Sequence, residues 1–416
     1  MADVQPFRAL RYDASKVELE DVVAPPYDVI DEAERARLAA RSRYNVVEVD
    51  LPPSYAEAAR AFQEWLERGV LVREEEPAIW VLCQEFAAPG GGKATRTGFF
   101  ARVRVDEYGP GRIRPHERTH AGPKEDRLRL LRATRANLSP IFSLFPDRDE
   151  AARRAMDRVA IGEPVATVAL NDGTVSRLWR STDPDVIAEL QAALADAELL
   201  IADGHHRYET ARVYADEVGG EGDHRYVLML LCSLSDPGLV VFPTHRLLDD
   251  LKEDPEKQLA IREVLLRDFE VEELAAASEL EPNGADGRVA FGYMDSFHRK
   301  PYRVTLRDQA IADQALGGMP EAYRRLDTAV LETLVLRGAL GMSDDDISHL
   351  RGIRYSSDLA DAVGQVQSGA ADAGFFLRAT PIEQIRAVAA AGEPMPPKST
   401  FFYPKVPTGL VFNLLA

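Results

Sequence analysis

The 416-residue sequence predicts a mixed α/β fold, on three observations. Strand-like and helix-like patterns alternate along the chain. Residues 199–203 and 226–234 are nearly continuous in apolar side chains, the pattern of strands buried on both faces. In Leu199-Leu200-Ile201-Ala202-Asp203-Gly204-His205-His206-Arg207-Tyr208-Glu209-Thr210-Ala211, the first of these runs ends in an acid and a glycine, and a helix opens at once.

Taken in order, residues 7–12 read as extended, 31–40 as helical, 44–49 as extended, and 55–68 as an amphipathic helix closed by Gly69. Residues 78–86 and 95–105 read as two strands of a hairpin turning at Pro89-Gly90-Gly91-Gly92. A helix is expected over 123–137, with Pro123 suited to its first turn, and another over 184–197 feeding the strand at 199. Residues 281–287 form a polar loop, 288–293 and 302–306 a strand pair, and 326–340 a strongly apolar helix. Residues 359–367, 374–377 and 382–391 continue the alternation, and 395–405 is a loop dense in prolines, hydroxyls and lysines. No internal repeat interrupts this series. The chain is long enough for two or three domains. We expect an N-terminal α/β region over 1–110, a catalytic core over 111–245, and a C-terminal α/β region over 246–416 whose lid loop is 395–405.

Apolar content of 45% with 28% charged residues is that of an ordinary globular protein. A net charge of −18 with no long basic run argues against a nucleic-acid binder. Basic charge is carried by 42 arginines against 8 lysines, a bias that reads as genome composition. Cys83 and Cys232 both lie in apolar strand-like runs and read as buried thiols, and no C-x-x-C pair suggests a zinc site. Residues 1–12 lack a basic segment followed by an apolar core, and no apolar run approaches the ~20 residues of a membrane span. A cytoplasmic location without membrane partners is the expectation.

Four segments carry more reactive side chains than structure demands. Ala24-Pro25-Pro26-Tyr27-Asp28-Val29-Ile30 is a rigid turn presenting Tyr27 and Asp28; it also reads simply as a helix start capped by Asp28 or Asp31. In residues 112–127, His116 and Glu117 suit general base work, while Arg118, Lys124 and Arg127 suit phosphate oxygens. The same side chains also suit a charged loop paired along the next helix, as Glu125 with Arg129. His116, Glu117 and His120 match H-E-x-x-H, but that zinc pattern needs a helix, and Pro115 and Gly122-Pro123 leave little room for one.

In the third segment, Gly204 lets the backbone approach an anion, Arg207 pairs with it, and a histidine hydrogen-bonds substrate or phosphate. Helix capping accounts for Asp203 alone. Adjacent His205 and His206 diverge by about 100° and do not readily share a metal. In the fourth, Lys398, Ser399, Thr400 and Lys405 could close over a ligand, or form a solvated surface loop. The sequence has no G-x-x-x-x-G-K-[ST] loop, no protein-kinase signature set and no G-x-S-x-G elbow.

Residues 24–30, Pro115-His116-Glu117-Arg118-Thr119, Lys124-Glu125-Asp126-Arg127, 202–211 and 395–405, in this order, resemble a bacterial and archaeal family known only as a domain of unknown function. Its members are often encoded beside serine-biosynthesis genes. The Asp203-Gly204-His205-His206-Arg207 turn also resembles, over about a dozen residues, the nucleotide-phosphate motif of the ParB and sulfiredoxin-like superfamily. Sulfiredoxins place a catalytic cysteine beside this turn, where this chain has histidines. Free-serine kinases of that superfamily carry a similar turn and use a glutamate as base.

The resemblance implies a ParB/sulfiredoxin-like core with a C-terminal α/β extension. It assigns nucleotide phosphates to Gly204, His205, His206 and Arg207, with Arg118, Lys124 and Arg127 in support. Asp203, with His206, would act in catalysis by orienting the acceptor or Mg²⁺. The base would be a glutamate, with Glu117 chosen here over Glu125 or Asp28, and His116, Asp28, Lys398 and Lys405 would form the substrate side or lid. The reaction implied is phosphoryl transfer from ATP or ADP to a small molecule such as L-serine, with no resident metal. A nucleotide-binding regulatory switch and a metal-dependent hydrolase or phosphatase built on His116, His120, His205, His206 and Asp203 are the other readings the residues allow.

Overall fold

The computed structural model describes residues 2–88, 91–117, 121–284 and 287–415, with backbone only at 121–123. The class is mixed α/β, as the alternation of patterns predicts. The chain forms two compact units. One comprises Met1–Pro115, Thr119–Val240 and Pro404–Ala416; the other comprises His116–Arg118 and Val241–Tyr403. The expected segments 1–110 and 111–245 thus fall largely together, and the expected lid is divided at residue 404.

The first unit is built on a nine-stranded sheet. Its strands run Ile113–Arg114, Leu199–Asp203, Ile141–Phe145, Tyr226–Ser233, Lys93–Arg104, Ile79–Ala87, Val175–Ser181 and Ala166–Ala169, and Val4–Gln5 also pairs with Lys93–Arg104. The register Val81↔Phe99↔Leu231 puts these side chains on one face with Ile141, Phe145 and Ile201, where they form the main core. Residues one step along, Gln84, Arg96, Gly98, Cys232 and Phe142, share the other face. The long hairpin of Ile79–Ala87 and Lys93–Arg104 follows the expectation, while Pro89 and Gly90 of its turn lie outside the described residues.

Local signals account for most helix starts. Asp31 accepts the Glu34 amide at 2.7 Å and begins Glu32–Arg41; Ser54 caps Tyr55–Glu67, and Asp183 caps Pro184–Leu194. Three expectations differ from the structure. Residues 44–49, expected extended, contain a helical turn at Val47–Asp50 that buries Val47 and Val49 in a second core with Phe62, Trp65 and Phe412. The helix expected over 123–137 spans Ala121–Thr134; Arg135 then takes a positive φ, and Ala136–Asn137 pairs with Asn413–Leu414. In the apolar stretch 326–340, a short helix Asp327–Leu331 passes into a π-helix, Glu332–Ala339.

The second unit carries a six-stranded sheet in the order Phe269–Glu273, Tyr302–Leu306, Ala290–Asp295, Ala373–Phe376, His245–Leu248 and Ile353–Ser356. Every neighbouring pair in it is antiparallel. Leu247, Met294 and Phe376 pack there with Ala362 and Val366 of the helix Leu359–Ser368. No helix among the described residues is long and apolar enough to cross a membrane.

A buried ion pair supports the helix Ala121–Thr134 in the first unit. Arg127 is 7% exposed and Asp50 4%. Arg127 Nη1 donates to the Asp50 carbonyl at 2.8 Å and to Oδ1 at 3.1 Å, while Asp50 Oδ2 accepts from the Ser139 hydroxyl at 2.8 Å. Burial works against the Arg127 charge, but Asp50 and Asp126 outweigh it and its pKa rises. Asp50→Ala leaves a buried cation short of its main partner, so urea unfolding is expected to show a loss of about 3 kcal/mol; an unchanged midpoint would contradict this role.

Candidate functional site

The strand Leu199–Asp203 departs from regular pairing between Ile201 and Asp203, and such an irregularity can redirect the last side chain. Gly204 follows with φ +94°, a left-handed conformation, and the 14-residue helix His205–Val218 begins there. A Cβ at 204 would lie 3.0–3.1 Å from Arg207 Nε, Cζ and Nη2. The turn therefore favours glycine, and a side chain there would also press on the Arg207 guanidinium. The positive end of the helix and the Arg207 guanidinium share one corner.

Asp203 ties this corner together. Its Oδ1 accepts the Gly204 amide at 2.9 Å, and its Oδ2 lies 3.5 Å from both Arg207 Nη2 and Lys405 Nζ. Arg207 Nη1 donates to the Pro140 carbonyl, while its Nε is buried without a hydrogen-bond partner. Burial opposes the Arg207 charge, but Asp203, then Tyr27, Asp28 and Asp50, overcome that effect and raise its pKa.

The Tyr27 ring is shared by two guanidiniums, with Arg127 at 4.3 Å and Arg207 at 5.8 Å from its centroid. Burial pushes the Tyr27 hydroxyl up to about 12 even with Arg207 nearby, so it stays protonated at neutral pH. The proline turn at 25–30 thus contributes the Tyr27 ring, while Asp28 is exposed. His205 is buried and His206 half-buried on the first turn of the helix.

Other residues expected at a phosphate have protein partners. Lys124 Nζ pairs with Glu209 Oε2 at 2.8 Å, on the same helix as Arg207, and Arg127 is committed to Asp50 and Asp126. Arg118 and His120 lie outside the described residues.

In the second unit, Glu117 Oε1 accepts from the Thr400 amide at 3.2 Å and its hydroxyl at 3.0 Å. His116 Nε2 is 2.7 Å from the same hydroxyl oxygen. The His116 backbone carbonyl accepts the Met395 amide at 2.7 Å, so His116 and Glu117 lie in extended pairing rather than on a helix. Lys398 is exposed with φ +57° and Ser399 is buried; the expected loop 395–405 is mostly irregular, apart from a strand at Phe401–Tyr403. Among the described residues, no group of three or more His, Cys, Asp or Glu is placed to hold a metal ion.

The sequence reading missed Arg96 and Gln84, on the sheet face opposite the main core. Arg96 is 1% exposed; its Nη2 donates to Gln84 Oε1 at 2.5 Å, and its guanidinium lies 4.4 Å from the Phe142 centroid. The available signal was a charge in a strand otherwise reading as buried.

A profile of the family described as "Protein of unknown function (DUF1015)" matches residues 4–329. No curated protein sequence matches the chain. Among solved structures, a free serine kinase variant in complex with AMP is similar at 15% identity and TM-score 0.40, covering 75% of this chain and 92% of its own. A conserved hypothetical protein from Pyrococcus furiosus is similar at 16% identity and TM-score 0.39, covering 76% and 95%. SbnI from Staphylococcus aureus, truncated at its C-terminus, is similar at 12% identity and TM-score 0.38, covering 76% and 87%. Similarity at this level carries nothing about activity.

Gly204→Ala forces a side chain into the left-handed region and against Arg207. The expected cost is about 1–2 kcal/mol in urea unfolding, together with weaker binding of inorganic phosphate by calorimetry. Unchanged stability and phosphate affinity would refute the preference for glycine.

Proposed function

The chain belongs to the DUF1015 family, and we propose that it is a nucleotide-dependent small-molecule phosphotransferase whose acceptor is free L-serine. The observation that carries this reading is the corner itself: a helix N-terminus, a left-handed glycine, and a half-buried arginine beside a carboxylate that also faces Lys405. Such an arrangement suits phosphate oxygens. The resemblance of Asp203-Gly204-His205-His206-Arg207 to the superfamily's phosphate turn narrows the anion to a nucleotide and the acceptor to serine.

In this reading the helix end, Arg207 and Lys405 hold the phosphates, and His205 and His206 add hydrogen bonds. The serine hydroxyl oxygen attacks the terminal phosphorus. The bond to the nucleotide's bridging oxygen breaks, giving ADP from ATP or AMP from ADP, and the hydroxyl proton passes to a carboxylate base. The resemblance implies a glutamate base; Glu117 is our choice over Glu125 or Asp28, and its Oε1 accepts from the Thr400 amide and hydroxyl. Positioning and charge neutralisation supply most of the rate in such chemistry.

Asp203 is poorly suited to hold Mg²⁺ by itself, because two cationic side chains already lie 3.5 Å from its Oδ2. Mg²⁺ belongs with the nucleotide phosphates in this reading, and no protein-held metal step is assigned.

The test incubates the protein with Mg²⁺, L-serine and either ATP or ADP and looks for O-phosphoserine by mass spectrometry. Product is expected with at least one nucleotide. Arg207→Ala is expected to weaken nucleotide binding by about ten- to a hundredfold, and Glu117→Gln to spare binding while lowering turnover by about a hundredfold or more. Absence of product with both nucleotides would overturn the acceptor. Full turnover in Glu117→Gln would overturn the base.

A further inference from the structure

We propose that Arg96 binds the carboxylate of the acceptor and selects small hydroxyl compounds that carry one. This rests on the phosphotransferase reading and adds the residue that recognises the substrate. The first observation is an incomplete hydrogen-bond set. Arg96 Nη2 is used by Gln84, but Nε and Nη1 are buried without partners among the described residues. A buried guanidinium with unused donors is costly unless an anion completes it. Burial lowers the Arg96 pKa to about 10, with Cys232, Asp236 and Asp203 only partly opposing that effect.

The second observation is placement within the first unit. Register sets Ser176, Gln84 and Arg96 in a row across three strands, on the face that also carries Phe142. Phe142 takes the Arg96 guanidinium on its ring and pairs through its backbone with Asp203 at the corner. Lys405 links the middle of this row to the corner: its carbonyl accepts Gln84 Nε2 at 3.1 Å, and its ammonium faces Asp203. Arg96 therefore belongs to the same polar strip as the phosphate corner.

The chemistry of this end differs from that of the corner. One guanidinium, one neutral amide and an aromatic ring match a single negative charge; the corner offers a helix end with two cationic side chains. A carboxylate fits the first and a polyphosphate the second.

The experiment is calorimetric titration of L-serine and of 2-aminoethanol, which lacks only the carboxylate, into the protein saturated with ADP. Wild type is expected to prefer L-serine by about ten- to a hundredfold. Arg96→Met, which fills similar space without charge, is expected to lose that preference while its ADP affinity stays unchanged. Arg96→Lys keeps the charge and is expected to recover part of the preference, and it serves as the test should Arg96→Met not fold. A preference retained in Arg96→Met, or fully lost in a folded Arg96→Lys that binds ADP normally, would overturn the assignment. Normal ADP binding with no preference in wild type would overturn it too while leaving the nucleotide site standing. Absence of ADP binding in wild type would instead defeat the phosphotransferase reading, and this inference with it.

Discussion

A left-handed glycine between a buried strand and a helix sets the geometry on which the corner depends. Gly204 allows the chain to turn without a side chain, and only then can the Arg207 guanidinium fold back over the turn. Asp203 then closes the arrangement through the Gly204 amide on one oxygen and faces two cationic groups with the other. The apolar strand before it and the first turn of the helix after it hold Asp203 and Arg207 on regular elements, while Lys405 lies outside helix and strand.

The surrounding charges divide into those that build and those that are poised. Arg127 and Asp50 form a buried pair that anchors a helix beside the corner, and Lys124 is neutralised by Glu209. Arg207 and Arg96 differ: among the described residues, the half-buried Arg207 has no partner for its buried Nε, and the buried Arg96 has none for Nε and Nη1. A protein interior tolerates few such groups, and they concentrate where a ligand completes them. Two arginines of this kind on one polar strip suit a ligand with two separate anionic groups, which a phosphorylated amino acid or the pair of nucleotide and amino acid would supply.

Much of this was legible in the sequence. The Asp203–Arg207 turn was visible because an acid, a glycine, two histidines and an arginine interrupt a buried strand and open a helix. Capping residues and periodicity gave helix starts such as those after Asp31 and Ser54. Residues 44–49 were misread because alternating Val and Glu match a half-buried strand, whereas tertiary packing of Val47 and Val49 selects a helical turn. Whether Arg127 meets a phosphate or an acid depends on Asp50, distant in sequence, and no local pattern reports that. Arg96 was overlooked because it shares its hairpin strand with Lys93, Arg102 and Arg104 and reads like them as an exposed charge, and only the fold shows it buried beside Gln84. The 395–405 loop looked solvated by composition, but Ser399 is buried through its hydroxyl bonds to Thr328 and the Pro396 carbonyl.

Hydrogen exchange with and without ADP tests the central claim most directly, since it reports where a nucleotide binds without requiring the acceptor. Slower exchange confined mainly to peptides spanning residues 201–210, lost in Arg207→Ala, is what the phosphate corner predicts. Nucleotide binding that protects other segments and leaves this one unchanged would contradict it.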